Sequence, residues 1–249
     1  MVEAETFLET ADIETSSDEY ARRFQGDVGK WFLSIQEEAT LRMLAPYPGA
    51  TILDLGGGHG QLTKALVQRQ FDVTVAGSSE ACKARIHSFV ERDLAKFDVV
   101  DFLNLPYNDR SFGVVISYRL LPHLKYWRQF VAEMTRVAEK CVIIDYPNKR
   151  SINYFGPQFF KLKRQLEGNS TRQFTCFTEK ELLDEFRLQH FGSPEQYAEF
   201  FLPMVLHRTM KMAGVSNVLE RSSRMLGLTA RFGSPRIMKL IRQQPARSR

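Results

Sequence analysis

The stretch Thr51-Ile-Leu-Asp-Leu-Gly-Gly-Gly-His-Gly60 places a glycine-rich turn directly after a short apolar run. The run Thr51 to Leu55 predicts a buried strand, because short apolar runs that end at turn residues are typical of parallel sheets. Glycines adopt positive φ and let backbone N–H groups approach a ligand closely. A helix is predicted next, from Leu62 to Gln70, and its first turn offers unpaired N–H groups. The stretch therefore predicts a ligand-binding loop at the end of a strand.

The spacing of the glycines narrows the choice of ligand. A dinucleotide loop needs G-x-G-x-x-G, but the third glycine would fall on Gln61 when counted from Gly56 and on Thr63 when counted from Gly58. The lysine of a phosphate-binding P-loop is also absent. The pattern present is D-x-G-x-G-x-G, formed by Asp54, Gly56, Gly58 and Gly60.

Short apolar runs alternate with helical stretches as far as residue 145. The predicted strands are Val73–Ala76, Phe97–Val100, Phe112–Ser117 and Cys141–Asp145, and the predicted helices between them are Glu80–Val90 and Lys125–Ala138. This alternation predicts right-handed βαβ crossovers and a doubly wound α/β fold with a mostly parallel sheet.

The flanking segments divide the chain further. Residues 1–16 are acidic and predict a flexible N-terminus, residues 17–48 carry apolar side chains at helical spacing and predict a helical cap, and 49–146 form the α/β core. Residues 147–177 break the alternation and are rich in aromatic and basic side chains, which predicts an insert that acts as a lid. We expect 178–243 to complete the same domain and 244–249 to be a flexible tail.

Within the C-terminal part, Thr178 and Glu181 form a capping-box signature for a helix that runs to about Gln189. A strand is predicted around Glu199 to His207. Because Pro203 cannot donate a backbone hydrogen bond, this strand is expected to be an edge or bulged strand. A basic helical stretch follows from Met210 to Leu226, and a last strand from Arg236 to Ile241. These two strands predict an antiparallel pair at the C-terminus.

Composition and charge exclude several classes of protein. The 249 residues hold three cysteines without a C-x-x-C pair, which argues against a disulfide framework or a zinc site. The longest apolar run has seven residues, whereas a membrane span needs about 20. With no secretory signal visible, we expect a cytoplasmic protein. From His207 onward the chain has ten Lys and Arg residues and a single acid, Glu220. Such a basic surface is compatible with binding to nucleic acid, to an anionic membrane surface or to an anionic small molecule, and equally with exposure to solvent alone.

Three motifs together resemble the class I S-adenosylmethionine-dependent methyltransferases, in the small-molecule branch similar to the enzymes of ubiquinone biosynthesis. They are the glycine loop, the stretch from Val100 to Ser117 and the segment Leu120-Leu-Pro-His123. The resemblance implies a Rossmann-like sheet, S-adenosylmethionine as cofactor and S-adenosylhomocysteine as product. It also places the lid after the fifth strand, over the acceptor.

The resemblance assigns roles to single residues. Asp54 is expected to hold the amino-acid moiety of the cofactor, Asp101 to accept from the adenine amino group and the Phe102 amide to donate to the ring. An aromatic face attracts a sulfonium as it attracts other cations, so Tyr20 is expected to close over the cofactor. The full expected cofactor set is Asp54, Gly56, Gly57, Gly58, His59, Gly60, Ser78, Asp101, Phe102, Tyr118 and Tyr20.

Methyl transfer from a sulfonium is an in-line displacement that depends mainly on alignment, and a general base is optional. His123 and Tyr118 are the candidate catalytic residues, with His59 and Asp145 as further candidates for a base. No metal site is expected. The aromatic side chains of the predicted lid favour a small, hydrophobic or aromatic acceptor.

One position departs from the family pattern. The second strand of the family usually ends in an acid that binds the ribose hydroxyls, and here Gly77 stands at or next to that place, with Ser78, Ser79 or Glu80 as substitutes. Two alternatives therefore stay open beside a small-molecule methyltransferase. One is a nucleic-acid methyltransferase that uses the basic C-terminal surface, and the other is a non-catalytic binding module of the same fold.

Overall fold

The computed structural model describes residues 8–151 and 175–243. Within these residues, seven strands form one sheet in the order β3-β2-β1-β4-β5-β7-β6. The strands are β1 Thr51–Leu55, β2 Asp72–Gly77, β3 Lys96–Val99, β4 Phe112–Ser117, β5 Ala138–Tyr146, β6 Phe191–Ala198 and β7 Arg236–Arg242. The first five are parallel, and β7 runs antiparallel to both β5 and β6. The predicted Rossmann-like sheet with an antiparallel C-terminal strand is confirmed.

Helices cover both faces of this sheet. They are α1 Ala11–Thr15, α2 Asp18–Arg22, α3 Gly26–Leu44, α4 Thr63–Gln68, α5 His87–Glu91, α6 Trp127–Val137, α7 Glu179–Leu188, α8 Met204–Met210, α9 Ala213–Met225 and α10 Leu228–Phe232. Short 3-10 helices at Gly57–His59, Glu80–Lys83 and Leu121–His123 follow the carboxyl ends of β1, β2 and β4. The predicted capping box is confirmed, because Thr178 and Glu181 bond each other's backbone N–H groups at the start of α7.

Alternate residues of the central strands supply two separate cores. Leu53 and Leu55 of β1 join Phe130 of α6 and Phe186 of α7 on one face. Ile52 of β1 joins a second core on the opposite face, together with apolar residues of α3, α4 and β2. Because both faces are buried, the strands carry continuous apolar runs, and their carboxyl ends are left as the polar edge of the sheet.

The predicted strand from Glu199 to His207 is wrong. The structure places β6 earlier, at Phe191–Ala198, and the segment from Met204 onward is helix α8. Pro203 sits at the residue before this helix, where a missing N–H costs no hydrogen bond. The sequence of β6, Phe-Gly-Ser-Pro-Glu-Gln-Tyr-Ala, is mostly polar because β6 is an edge strand with several exposed positions.

Two other predicted segments also differ in detail. The helix predicted for Glu80–Val90 is divided into a 3-10 turn and the short helix α5. Within the N-terminus expected to be flexible, residues 9–16 pack against the carboxyl edge of the sheet, and the Asp12 side chain is fully buried. Most of the predicted lid, residues 152–174, and the predicted tail 244–249 lie outside the described residues.

None of the described helices is long and apolar enough to cross a bilayer.

Candidate functional site

The carboxyl end of β1 carries a buried acid without a partner. Asp54 is 1% exposed, and neither of its carboxylate oxygens has a hydrogen-bond partner among the described residues. Burial raises the pKa of Asp54 to about 7. A Cβ atom at Gly57 would lie 2.1 Å from Asp54 Oδ2, so only glycine lets the loop pass over the carboxylate. The loop and the acid therefore form one unit.

The glycine loop has the backbone shape that its sequence predicted. Gly56 and Gly60 adopt φ of +75° and +71°, a left-handed conformation that favours glycine, on either side of the Gly57–His59 turn. The Gly56 N–H donates to the Ala76 carbonyl oxygen at 2.8 Å, which ties the loop to the end of β2.

His59 lies within this loop, almost completely buried. Its Nδ1 atom accepts a hydrogen bond from the Gln61 N–H at 3.3 Å. Burial, with a smaller contribution from the positive charge of Arg119, lowers the pKa of His59 to about 3. The imidazole is therefore neutral at physiological pH and shapes the wall of the loop.

A cavity of about 220 Å³ lies beside the loop and is lined by Thr15, Tyr20, Ala21, Phe24, Leu33, His59, Gln61 and Arg85. The Tyr20 and Phe24 rings are 5.8 Å apart, and the Arg119 guanidinium lies 4.1 Å from the centre of the Phe24 ring. The structure thus brings the predicted residue Tyr20 next to the glycine loop, on an aromatic wall.

Of three further predicted residues, Ser78 follows β2, and Asp101 and Phe102 follow β3. The side chains of Ser78 and Asp101 already form hydrogen bonds within the chain. Asp101 Oδ1 accepts from the Leu103 N–H at 2.9 Å, and the Phe102 ring is buried against Phe130. Ser78 donates through its N–H and its hydroxyl to the carboxylate of Asp12 on α1. Sequence reasoning assigned no role to Asp12.

The two candidate catalytic residues lie after β4. The Tyr118 hydroxyl hydrogen-bonds the Thr40 hydroxyl of α3 at 2.8 Å, and burial raises the pKa of the phenol well above its usual value. His123 ends the 3-10 turn that follows. Their catalytic roles stay predictions.

Sequence reasoning missed most of a polar cluster beyond β4 and β5. The Arg119 N–H donates to Asp145 Oδ1 at 2.6 Å, and its guanidinium donates to Gln36 Oε1 at 3.2 Å. Glu199 is 3% exposed, and burial followed by repulsion from Asp145 raises its pKa to about 8. Burial also raises the pKa of Asp145 to about 6. Only Asp145, at the end of a predicted strand, carried a signal in the sequence.

Among the described residues, no group of His, Cys, Asp and Glu side chains is placed to hold a metal ion.

Comparisons with known proteins find related sequences and a related fold. A family model described as a methyltransferase domain matches residues 53–142. Norajmaline N-methyltransferase from Rauvolfia serpentina is 33% identical over 188 residues, covering 68% of this chain and 63% of that protein. Ribosomal RNA small subunit methyltransferase A from Acidovorax ebreus is 31% identical over 116 residues, covering 39% of this chain and 45% of that protein. The chain thus spans less than two thirds of the length of either relative.

Among solved structures, magnesium protoporphyrin IX methyltransferase from Synechocystis with bound S-adenosylhomocysteine superimposes with a TM-score of 0.62. The match covers 91% of this chain and 94% of that one at 17% identity, which is a likeness of fold. The family domain, the order of the strands and the glycine loop all agree. The chain therefore has the fold of the class I S-adenosylmethionine-dependent methyltransferases, and residues 53–142 match the model of a methyltransferase domain.

Proposed function

We propose that this protein binds S-adenosylmethionine and transfers its methyl group to a small, hydrophobic or aromatic acceptor. The observation that carries the proposal is the unpaired carboxylate of Asp54 beneath the glycine loop. An unsatisfied buried polar group costs about 1–3 kcal/mol, and more when it is charged. A ligand ammonium at this place would offset the cost, and the amino-acid moiety of S-adenosylmethionine carries one.

The residues around Asp54 fit the rest of the cofactor. Gly56 and Gly60 keep the loop backbone close to the strand edge, as a bound amino-acid moiety requires. The aromatic wall of Tyr20 and Phe24 suits a sulfonium, since aromatic faces attract cations. The cofactor supplies an electrophilic methyl group, and this chain supplies alignment and exclusion of water.

Two lines of support favour a small ring compound as the acceptor. The aromatic wall borders the cavity beside the loop, and such walls bind flat apolar molecules well. The relative of greatest coverage described above is named for the N-methylation of norajmaline, and the structural neighbour is named for magnesium protoporphyrin IX. We therefore propose an in-line transfer to an acceptor of this class, with nitrogen as the first atom to test.

The polar cluster contains a candidate proton acceptor for such a transfer, and it adjoins the aromatic wall through the contact of Arg119 with Phe24. Glu199 Oε1 has no hydrogen-bond partner among the described residues, and its raised pKa of about 8 lies near physiological pH. A base works best when its pKa lies near the working pH. Tyr118 is less suited to this task, because its hydroxyl is paired with Thr40 and its raised pKa keeps it protonated.

The C-terminal helices support a proposal of peripheral contact with an anionic membrane. Val218 of α9 is 63% exposed, and Met225 and Leu226 at its end are 89% and 75% exposed. Residues 204–232, which include these helices, carry five of the ten basic residues that follow His207. Exposed apolar side chains among basic ones are typical of helices that lie on anionic bilayers.

Titration calorimetry tests the proposal directly. S-Adenosylmethionine and S-adenosylhomocysteine are titrated into the full chain, and labelled methyl transfer is then measured against a panel of aromatic amines. We expect both ligands to bind, and label to appear in at least one amine. Absence of binding at millimolar ligand would support the non-catalytic module, and label in RNA alone would support the nucleic-acid alternative.

A further inference from the structure

The end of β2 lacks the acid that this type of site usually carries, and the chain leaves no room for one. Gly77 occupies the position, about 20 residues after the start of the glycine loop, where an acid commonly binds the ribose hydroxyls of a nucleotide. A Cβ atom at Gly77 would lie 2.8 Å from Cys82 Cβ and 3.1 Å from Phe97 Cζ. Any side chain here would displace its neighbours.

A carboxylate nevertheless stands at this place, and it comes from α1. Asp12 Oδ2 lies 3.3 Å from the position that the Gly77 Cβ would take. Asp12 is fully buried, although it is one of the acids of an N-terminal segment that its composition predicted to be flexible. The nearby Glu9 Oε1 accepts from the Tyr126 N–H at 2.7 Å, and the Ser16 carbonyl accepts from Arg85 Nε at 3.2 Å. Hydrogen bonds and burial thus hold residues 9–16 against the carboxyl edge of the sheet.

The two oxygens of Asp12 have different kinds of partner. Oδ2 accepts from the Ser78 backbone N–H at 2.7 Å and lies 3.1 Å from the Cys82 thiol sulfur. Burial first, and then the charge of Asp12, raises the pKa of Cys82 to about 12, so the thiol stays protonated and donates. Oδ1 accepts only from the Ser78 hydroxyl among the described residues. A serine hydroxyl turns away by a single rotation about χ1, whereas the backbone N–H holds Oδ2 in place.

Asp12 also lacks a cation to neutralise it, since no ion pair to it is formed among the described residues. Its donors are a hydroxyl, a thiol and an amide. Vicinal sugar hydroxyls are donors of the same kind as the Ser78 hydroxyl, and charge-assisted hydrogen bonds to a carboxylate are among the stronger ones. Asp54 lies at the carboxyl end of β1, and Asp12 of α1 lies beside the carboxyl end of the neighbouring strand β2.

We infer that Asp12, delivered by α1, is the carboxylate that binds the ribose hydroxyls of the cofactor in place of the acid missing at position 77. The inference rests on the proposed binding of S-adenosylmethionine. In the bound state the sugar hydroxyls replace the Ser78 hydroxyl on Oδ1, while the Ser78 N–H continues to hold Oδ2. Gly77 is then the residue that makes room for Asp12.

A double-mutant cycle between protein and ligand tests this pairing. S-Adenosylhomocysteine and its 2′,3′-dideoxy analogue are titrated calorimetrically into the wild type, Asp12→Asn and the control Glu19→Gln, an exposed acid of α2. Asp12→Asn keeps the size of the side chain, and thermal unfolding checks that each variant is folded. We expect Asp12→Asn to weaken S-adenosylhomocysteine by about 10- to 100-fold and the dideoxy analogue by less than about 3-fold. Glu19→Gln should leave both affinities within about 2-fold of the wild type.

Three other results have distinct meanings. Equal losses for the two ligands would show that Asp12 does not contact the sugar, which overturns the inference. Tighter binding by Asp12→Asn would also overturn it, because α1 would then obstruct the cofactor site. If the wild type binds neither ligand, the proposed function itself fails, and this outcome is recognised without reference to any variant.

Discussion

Asp54 at the carboxyl end of β1 and Glu220 in the C-terminal helices are both buried acids, and their surroundings are opposite. Asp54 is 1% exposed and has no hydrogen-bond partner among the described residues. Glu220 of α9 is 3% exposed and accepts from the N–H groups of Phe201 and Leu202, both at 2.8 Å, and pairs with His207 Nε2 at 2.9 Å. A saturated buried acid stabilises the structure around it, whereas an unsatisfied one needs a further partner such as a ligand, an ion or an ordered water.

The difference extends to the surfaces of the two regions. Beneath α8 and α9, Trp31, Phe32 and Phe200 form a small apolar core around His207. Outside, Met225 and its neighbours leave apolar groups in solvent. At the β1 edge, α1 packs against the loop, and the buried Asp54 carboxyl has no hydrogen-bond partner among the described residues. The first region therefore fits the proposed contact with a membrane surface, and the second fits the proposed binding of a small ligand.

The largest expected effect comes from Glu220→Ala. The substitution leaves His207 and two backbone N–H groups buried without their acceptor, so we expect the free energy of unfolding to fall by about 3 kcal/mol. Urea denaturation measures this change. Glu38→Ala is the control, since Glu38 forms only an exposed pair with Arg42 and should cost under about 0.5 kcal/mol. Equal costs would mean that the Glu220 cluster contributes no more than a surface pair.

In contrast to Glu220→Ala, Asp54→Asn should weaken ligand binding and leave the folded structure intact. Losing a charge-assisted contact to the ligand ammonium is expected to weaken S-adenosylhomocysteine by about 10- to 100-fold, while the fold is retained. Calorimetric titration measures the affinity, with Asp72→Asn, an exposed acid at the start of β2, as the control. An affinity unchanged by Asp54→Asn would remove the main support for the proposed cofactor site.

The stability of the free protein should fall as the pH rises from about 4 to about 8. Burial raises the pKa of Asp145 to about 6, of Asp54 to about 7 and of Glu199 to about 8. The folded state therefore holds these protons more tightly than the unfolded chain. This stabilisation is complete below the unfolded pKa of about 4 and is lost as the pH passes the raised values. His59, whose pKa is lowered by burial, contributes the opposite slope below about pH 6.5, as one group against three acids.

Thermal unfolding at a series of pH values measures this slope. Asp54→Asn should flatten the slope near pH 7, and S-adenosylhomocysteine should stabilise the wild type more at pH 8 than at pH 5, because its ammonium pairs with the ionised Asp54. A Tm that rises over this range would contradict the assignment of these three acids as buried groups with raised pKa values.

The smallest expected effect concerns the outer surface of α9. Sedimentation with vesicles should show more binding to anionic than to zwitterionic phospholipid, and Val218→Glu together with Met225→Glu should reduce the bound fraction several-fold. The two substitutions are exposed and should leave S-adenosylhomocysteine affinity unchanged, which separates the two regions. Equal binding of the two vesicle types would contradict the proposed contact.

The two regions also differ in how far the sequence predicts them. In the β1 region, local patterns suffice, because the strand, the loop and the first helix are consecutive and glycine has few substitutes at positive φ. The predicted strand Phe112–Ser117 has the same bounds in the structure. In the C-terminal region, the polar edge strand β6 was missed and α8 was taken for a strand. Edge strands carry weak alternation, and α8 is held by distant contacts with α3.

Similar limits apply to individual side chains. The single acid in a basic tail, Glu220, gave no sign in the sequence that it is a buried acceptor for three donors. Arg119 and Glu199 are 80 residues apart and meet only because β4, β5 and β6 end at the same edge of the sheet. Asp12 was one acid among several in a segment expected to be flexible.

The sequence by itself determined the class of fold, the glycine loop with Asp54 below it and the absence of an acid at Gly77, because each depends on residues adjacent along the chain. Only the tertiary structure decided that Asp54 is unpaired, that Glu220 is saturated and that α1 carries Asp12 to the end of β2. The physical reason is that burial and hydrogen bonding depend on contacts between segments that are distant in the sequence. Local periodicity does not predict these contacts.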